Sequence, residues 1–240
     1  MTLNEEGQKA VARPRKKRYI VAAILLGLIA VYAILGAIFW KIGMPAFMFG
    51  YEKNDKGGIT ITNYYGTYLH VHIPDKIDGL DVTEIGYAAI GYSPARPKSK
   101  FHSSINENIR EVRLPDTVEK IDGCAFRDCN KLTDVNIPSS LRETGWGIFA
   151  YTKIKEIELP EGMTKIDDFA FAFSYRLEKV TLPDRIEEID EGAFYFCPKL
   201  KEINLPDGLK IVSEYAFYGT GLTDEQKQAF YDKAEEVIED

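Results

Sequence analysis

Chemically reactive residue types are scarce in this sequence, which has three histidines and three cysteines among its 240 residues. A glycine-rich phosphate loop, a nucleophile elbow and a Cys-x-x-Cys pair are all absent, so the common motifs of nucleotide binding, acyl transfer and thiol redox chemistry are excluded. His70 and His72 share one strand face, but no third metal ligand lies within sequence reach. We therefore expect no enzyme activity, no metal site and no cofactor.

Charge is missing from residues 19–40, the run YIVAAILLGLIAVYAILGAIFW. At about 1.5 Å per residue, a helix of this length spans roughly 33 Å, enough for the hydrocarbon core of a bilayer. Residues 1–18 hold six Lys/Arg and two Glu, and a basic flank stays on the cytoplasmic side of a membrane. The sequence thus predicts a basic cytoplasmic tail over 1–18 and one transmembrane helix over 19–40. A cleavable signal peptide is the alternative, although its apolar region is usually about 7–15 residues long.

Positive charge is in deficit beyond residue 40, where 24 Lys/Arg face 35 Asp/Glu and the net charge is −11. A nucleic-acid-binding domain has the opposite balance, because it must neutralise phosphates. The predicted partner of this region is therefore a protein or a cell-surface polymer and not a nucleic acid. Contact with the membrane is predicted through residues 19–40 alone.

A repeat is marked by six prolines, spaced 41, 23, 22, 23 and 23 residues apart. They are Pro74, Pro115, Pro138, Pro160, Pro183 and Pro206. Each follows an alternating apolar pair such as Val180 and Leu182, and the last five are followed eleven residues later by a phenylalanine. The alternation predicts a short strand, which the proline ends where a ladder N–H is no longer needed.

One such unit cannot fold alone. Its inward side chains contribute roughly 2 kcal/mol each at best, whereas ordering each of its residues costs about 1–2 kcal/mol. Stacked copies share one core, so the sequence predicts a solenoid with parallel strands along one side, over residues 69–222. Alternating residues around NDKGG predict a hairpin that closes the first coil, within a juxtamembrane and cap segment over 41–68.

The C-terminal segment 223–240 is predicted to form one capping helix. Thr223 is its N-cap and Gln226 follows three residues later, the pattern of a capping box. Four apolar side chains then share one helical face: Phe230, Ala234, Val237 and Ile238. We expect this face to cover the last repeat.

The unit resembles the BspA-type leucine-rich repeat, whose pattern is close to x-x-I-x-L-P-x-x-L-x-x-I-x-x-x-A-F-x-x-C-x-x-L. The stretch KEIELPEGMTKIDDFAFAFSYRL matches it closely, and the resemblance covers about residues 47–222. It implies an α/β solenoid, a right-handed leucine-rich repeat of about six units of 22–23 residues with parallel strands. It also implies display on a cell surface or secretion, and a role in binding or adhesion rather than catalysis.

The cysteines fit this pattern as scaffold. Cys129 and Cys197 share one slot of the repeat, three copies apart. Such positions are roughly 14 Å apart at about 4.8 Å per strand, whereas a disulfide needs Cα atoms within about 7 Å. We expect no disulfide.

The first proline interval is longer than the others, and most of the extra chain forms an insertion over 91–107. It carries four basic side chains in an otherwise acidic domain: Arg96, Lys98, Lys100 and His102. A mobile surface loop is one interpretation, since segments rich in proline, serine and lysine bury too little surface to order themselves. Electrostatic contact with an anionic cell-surface polymer is the other.

Carboxylates crowd the stretch LPDRIEEIDEGAFYFCPKL, but they recur in other copies of the repeat. Asp190, for example, superposes on Asp122 and Asp167. A catalytic pair is needed once and requires two unlike environments, so we interpret these acids as polar positions along a solvated ridge. A weak Ca²⁺ site along the Asp167 and Asp190 column is the alternative.

Two surfaces of the solenoid are candidates for partner binding. On the side opposite the strands, here called the turn side, Tyr151, Phe173 and Phe196 occupy a slot that is usually small or polar in the resembling family. With Trp146 nearby, in a slot that is otherwise Gly, Asp or Glu, they could form an exposed strip. These rings could instead turn inward and thicken the core. On the strand side, outward positions offer charge without aromatic anchors: His72, Glu111, Arg113, Asp134, Glu156, Glu158, Lys179 and Glu202.

The predicted function is that of a single-pass membrane protein with an extracellular repeat domain. The domain binds a macromolecular partner, in adhesion or ligand recognition, and performs no catalysis. An architectural or assembly subunit of a membrane complex is the alternative.

Overall fold

The computed structural model of this protein describes residues 15–92 and 106–239, with side chains from residue 20 onward. The chain divides into two compact units, Met1–Ile38 and Phe39–Asp240. Most of the predicted cytoplasmic tail lies outside the described residues. The predicted contact of the insertion with an anionic polymer also lies outside them, since it depends on Arg96, Lys98, Lys100 and His102.

Helix α1, Arg15–Ile42, contains the predicted transmembrane segment. Its stretch Ile20–Ile42 is long and apolar enough to cross a membrane, and a signal sequence meets the same criteria. The apolar stretch ends at Ile42, beyond the predicted end at residue 40. Lys41 is the only charged residue in the added part. A short 3₁₀ turn, Ala46–Met48, follows within the second unit.

The predicted hairpin opens the solenoid. Strand β1, Phe49–Lys53, pairs antiparallel with β2, Ile59–Tyr64. Asn54 closes the turn between them, since its side-chain oxygen accepts a hydrogen bond from the Gly58 N–H at 2.8 Å. β2 then pairs in parallel with β5, Leu80–Ile85, so the hairpin covers the first edge of the repeats.

Two columns of short, mainly parallel strands form the rest of the solenoid. The column before the prolines consists of β3 (His70–His72), β6 (Glu111–Arg113), β8 (Asp134–Val135), β10 (Glu156–Glu158), β12 (Lys179–Thr181) and β14 (Glu202–Ile203). The column after them consists of β5 with its antiparallel partner β4 (Lys76–Ile77), then β7 (Lys120–Ile121), β9 (Glu143–Thr144), β11 (Lys165–Ile166), β13 (Glu188–Ile189) and β15 (Ile211–Ser213). The predicted solenoid fold is confirmed.

Both columns are interrupted at one place within the described range 106–239, where β8 does not pair with β10 and β9 does not pair with β11. The unit from Pro138 to Pro160 is one residue shorter than its neighbours. The turn side stays continuous there, because the Tyr151 N–H donates to the Ala172 carbonyl at 2.9 Å. On the strand side, the interruption coincides with a cavity of about 490 Å³.

A stack of phenylalanine rings, one in each of the last five repeats, runs through the core. Their centroids are 5.4–5.7 Å apart along the solenoid: Phe126, Phe149, Phe171, Phe194 and Phe217. All five are at most 1% exposed. Because each ring meets only the rings of adjacent coils, stability depends on nearest-neighbour interfaces.

The C-terminal cap begins as predicted. Helix α2, Asp224–Lys233, has Thr223 as its N-cap, and the Thr223 hydroxyl accepts a hydrogen bond from the Gln226 N–H at 3.1 Å. Phe230 is buried on this helix, and its ring lies 4.6 Å from that of Phe217. The helix therefore covers the end of the phenylalanine stack.

The end of this cap differs from the prediction of one continuous helix. Helix α2 ends at Lys233, and strand β16, Glu236–Ile238, pairs in parallel with β15. The placement of Val237 and Ile238 on the helical face is therefore wrong. The open edge of β15 offers backbone hydrogen bonds to a strand, and β-branched residues favour that conformation.

The three cysteines all lie among the described residues, where they are buried thiols with no disulfide between them. The Cys197 thiol donates to the Phe171 carbonyl at 3.1 Å. Burial raises the pKa of Cys197 to about 12, so this thiol stays protonated at neutral pH. These contacts agree with the predicted scaffold role.

Candidate functional site

The predicted aromatic slot is held by an unusual backbone. Tyr151, Phe173 and Phe196 have φ values of 63°, 58° and 52°, in the left-handed region. Asp128 and Gly219 share this slot and conformation in the flanking repeats, and such residues tolerate a positive φ far better than aromatic residues do. A second slot, which includes Phe169, has the same backbone, so the positive φ is a property of the turns of the repeat. The aromatic residues therefore occupy positions where a smaller residue would be less strained.

These three residues form a continuous stack, here called the aromatic ladder. The Tyr151 and Phe173 ring centroids are 4.7 Å apart, and those of Phe173 and Phe196 are 5.8 Å apart, with ring planes within 10° of parallel. The ladder lies outside the buried core cluster, and the Phe196 side chain is 39% exposed. The rings therefore do not turn inward to thicken the core.

Arg127, which the sequence analysis did not single out, lies between Trp146 and the aromatic ladder. The Arg127 guanidinium carbon lies 5.5 Å from the Trp146 ring centroid and 5.4 Å from that of Tyr151, within cation–π range. Gly123 makes room for the indole, since a Cβ there would lie only 3.0 Å from the Trp146 ring. The structure thus brings all four predicted turn-side residues onto one surface.

A second aromatic column runs beside the ladder. The rings of Tyr195 and Tyr218 stack with centroids 5.3 Å apart, and Tyr195 also contacts Phe173 at 5.6 Å and Phe196 at 4.8 Å. The sequence analysis missed this column, which lies twelve residues after the proline in the last two units. Superposing the copies at that slot would have found it.

The turn side therefore presents aromatic surface in an acidic domain. Stacked rings cover one another's faces along the solenoid axis, so their edges point outward, and ring edges carry partial positive charge. Contiguous exposed apolar surface marks interaction sites, and aromatic residues are the usual anchors of binding energy at such sites.

The predicted strand face is partly occupied by the chain itself. His72 Nδ1 lies 2.8 Å from the Trp40 carbonyl oxygen, and the Arg113 guanidinium carbon lies 4.0 Å from the Trp40 ring centroid. Glu111 is engaged too, with its carboxylate 3.0 Å from His70 Nδ1. His72 and Arg113 thus bind the end of α1.

The remaining strand-face residues are more open. Lys179 Nζ lies 3.7 Å from a carboxylate oxygen of Glu202 in the next coil. Asp134 is exposed, and Glu156 and Glu158 line the cavity at the interruption between β8 and β10. The strand face therefore offers mainly negative charge.

The prediction that Asp190 lies on a solvated ridge is wrong, since this residue is only 9% exposed. Lys165 Nζ lies 2.7 Å from this carboxylate and 3.2 Å from that of Glu188. Burial raises the pKa of Asp190 to about 7, with Lys165 opposing the shift and Glu188 adding to it. Among the described residues, no group of three His, Cys, Asp or Glu is arranged to hold a metal ion, Asp167 and Asp190 included.

We expect the stability of the repeat domain to fall as the pH rises through this pKa. A carboxyl whose folded pKa exceeds its unfolded value of about 3.9 stabilises the fold below about pH 4, and that contribution is lost towards pH 7. Across this pH range, the free energy of unfolding measured in urea should fall as the pH rises. Asp190→Asn should make that fall smaller. The exposed Asp207→Asn is the matched control, and an equal flattening in both variants would contradict this assignment.

Comparisons with known proteins relate this geometry to a family. A family model described as a BspA type leucine rich repeat region matches six copies over residues 97–223. A solved leucine-rich repeat protein from T. pallidum has a TM-score of 0.63 and 26% identity, covering 81% of this chain and 97% of that chain. One from Eubacterium ventriosum, with a TM-score of 0.54 and 17% identity over 72% of this chain and 44% of that chain, shows the fold alone. No curated protein matches the sequence.

Proposed function

Because this chain belongs to the family of BspA-type leucine-rich repeat proteins, we propose that it is a single-pass membrane protein whose repeat domain lies outside the cell and binds a macromolecular partner. The apolar stretch Ile20–Ile42 supports a membrane anchor, and the basic residues before it support a cytoplasmic N-terminus. Proteins of this family are surface proteins, and repeats of this kind are typically interaction modules rather than catalysts.

The aromatic ladder carries the proposal that binding takes place on the turn side. Tyr151, Phe173 and Phe196 are held at positive φ, in a slot where Asp128 and Gly219 fit with less strain. A stack that only filled the core would be buried, whereas Phe196 is exposed and Tyr151 and Phe173 are half-buried. The strand face is the weaker candidate, because part of its charge is already paired within the chain.

We expect a ladder variant to lose its partner on intact cells. Cells that display the full chain are treated with a membrane-impermeant, amine-reactive crosslinker, and the adducts are quantified. Phe173→Ser combined with Phe196→Ser should reduce the adduct about tenfold or more, since buried aromatic anchors often contribute about 2 kcal/mol or more. Glu156→Gln combined with Glu158→Gln, on the strand face, is the matched control and should leave it unchanged. Both variants are first shown to unfold at the wild-type urea midpoint.

Three outcomes would count against parts of the proposal. Loss of the adduct only in the glutamate variant would move the binding face to the strands. Adducts that form only after lysis would reverse the proposed orientation. An adduct made solely of the cell's own membrane subunits would favour the architectural role.

A further inference from the structure

A cavity of about 340 Å³ opens beside the first two rings of the aromatic ladder. Three rings and three cations form most of its wall: Tyr151, Phe173, Tyr175, Lys131, Lys153 and Arg176. Within the described part of the chain, no carboxylate lines it. This composition is the reverse of that of the domain, whose net charge is −11.

The three cations are forced together by the repeat. Lys131, Lys153 and Arg176 occupy the same slot in consecutive coils, one residue before a buried Leu or Ile. Coils are about 4.8 Å apart, so their charges repel one another. Lys131, then burial and then Arg176 lower the pKa of Lys153. The repulsion thus acts on Lys153 from both sides.

None of these three cations has an ion-pair partner among the described residues. The next residue in the slot is paired, since Lys199 Nζ lies 4.0 Å from a Glu178 carboxylate oxygen. Other lysines of the solenoid are paired as well, such as Lys210 with Glu187 at 2.9 Å. Elsewhere in the described part of the chain, isolated lysines such as Lys120 and Lys155 also lack an ion-pair partner, but this slot places three such cations in consecutive coils.

The rings of the cavity add to this preference for negative charge. The Tyr151 and Phe173 rings stack with their centroids 4.7 Å apart, so each covers one face of the other, and both rings line the cavity. Ring edges carry partial positive charge and attract carboxylate oxygens.

We propose that this cavity binds a carboxylate side chain of an acidic segment in a partner protein. The inference rests on the proposed binding function and specifies the chemistry of its partner. An acidic segment would be repelled by the rest of the domain, so this patch would select both where the segment docks and how it is oriented. One carboxylate would lie between Lys131, Lys153 and Arg176 and relieve their mutual repulsion.

The test uses the full chain in nanodiscs of zwitterionic lipid. The probe is a fluorescein-labelled ten-residue peptide of alternating glutamate and glycine, compared with its glutamine counterpart by fluorescence anisotropy. We expect the glutamate peptide alone to bind, and its affinity to fall as salt is raised. The combined variant Lys131→Gln, Lys153→Gln and Arg176→Gln should weaken binding about tenfold or more, because hydrogen bonds to charged groups are the stronger ones. Lys210→Gln is the matched control and should bind like the wild type.

Equal binding of the two peptides, or undiminished binding by the triple variant, would overturn the proposal. Binding of a heparin oligosaccharide that depends on the three cations, without binding of the glutamate peptide, would reject a protein segment in favour of an anionic glycan. If the ladder variant loses its adduct on cells but the glutamate peptide does not bind here, the proposed function stands and only this cavity assignment fails.

Discussion

Phe194→Ala is expected to lower the free energy of unfolding of the repeat domain by about 3–5 kcal/mol, the range for a phenylalanine deleted from a packed core. The ring is fully buried, and its centroid lies 5.4 Å from that of Phe171 and 5.6 Å from that of Phe217. Each coil packs only on its neighbours, so no other contact bridges the cavity that this change creates. Urea unfolding followed by circular dichroism measures the loss.

Tyr175→Ala is the matched control for this prediction. It also removes an aromatic ring, but that side chain is 53% exposed. We expect its cost to be within about 1 kcal/mol, because truncation of an exposed side chain leaves no cavity. Similar losses for Phe194→Ala and Tyr175→Ala would show that the phenylalanine stack is not the main source of stability.

Removal of residues 223–240 is expected to abolish the monodisperse folded state altogether. This deletion exposes one face of Phe217, which Phe230 covers at 4.6 Å, and it frees the edge of β15. An open solenoid end combines apolar surface with unpaired strand hydrogen bonds, and both promote association between chains. Size-exclusion chromatography with light scattering, on the full chain and the truncated chain in the same detergent, measures the change.

Phe230→Ala separates the two contributions of the cap. It removes the ring that covers the stack but keeps β16 on the edge of β15. We expect this variant to remain a folded species with a stability loss of about 3–5 kcal/mol. A truncated chain that stays monodisperse and folded would show that the repeats do not require this cap.

The capping segment shows why part of the fold could be predicted and part could not. Thr223 and Gln226 satisfy each other's backbone groups within one turn, so the start of α2 is a local property that the spacing of two residues predicts. The residues of β16 have no such local signal. Their pairing depends on the edge of β15, which exists only after the last coil has formed.

The aromatic ladder could likewise be predicted in part from spacing and in part only from the folded structure. The stacked slot of Tyr151, Phe173 and Phe196 follows from the period, since equivalent positions of a solenoid lie above one another. The period could not decide whether those rings faced the core or solvent, because that depends on the left-handed backbone at each position. The role of Arg127 as the link to Trp146 was also hidden, since a cation–π contact requires a direction as well as a spacing.

The sequence by itself determined the uncharged helix, the repeat, the phenylalanine stack and the slots that share a column, because each depends on spacing along the chain. The tertiary structure alone decided which columns are exposed, where the strand ladders break, and that Asp190 is buried beside Lys165 rather than solvated. It also decided that Lys131, Lys153 and Arg176 share a cavity with aromatic rings and without a carboxylate. The physical reason is that burial and charge environment are set by neighbours in adjacent coils, about 22 or 23 residues away in the chain.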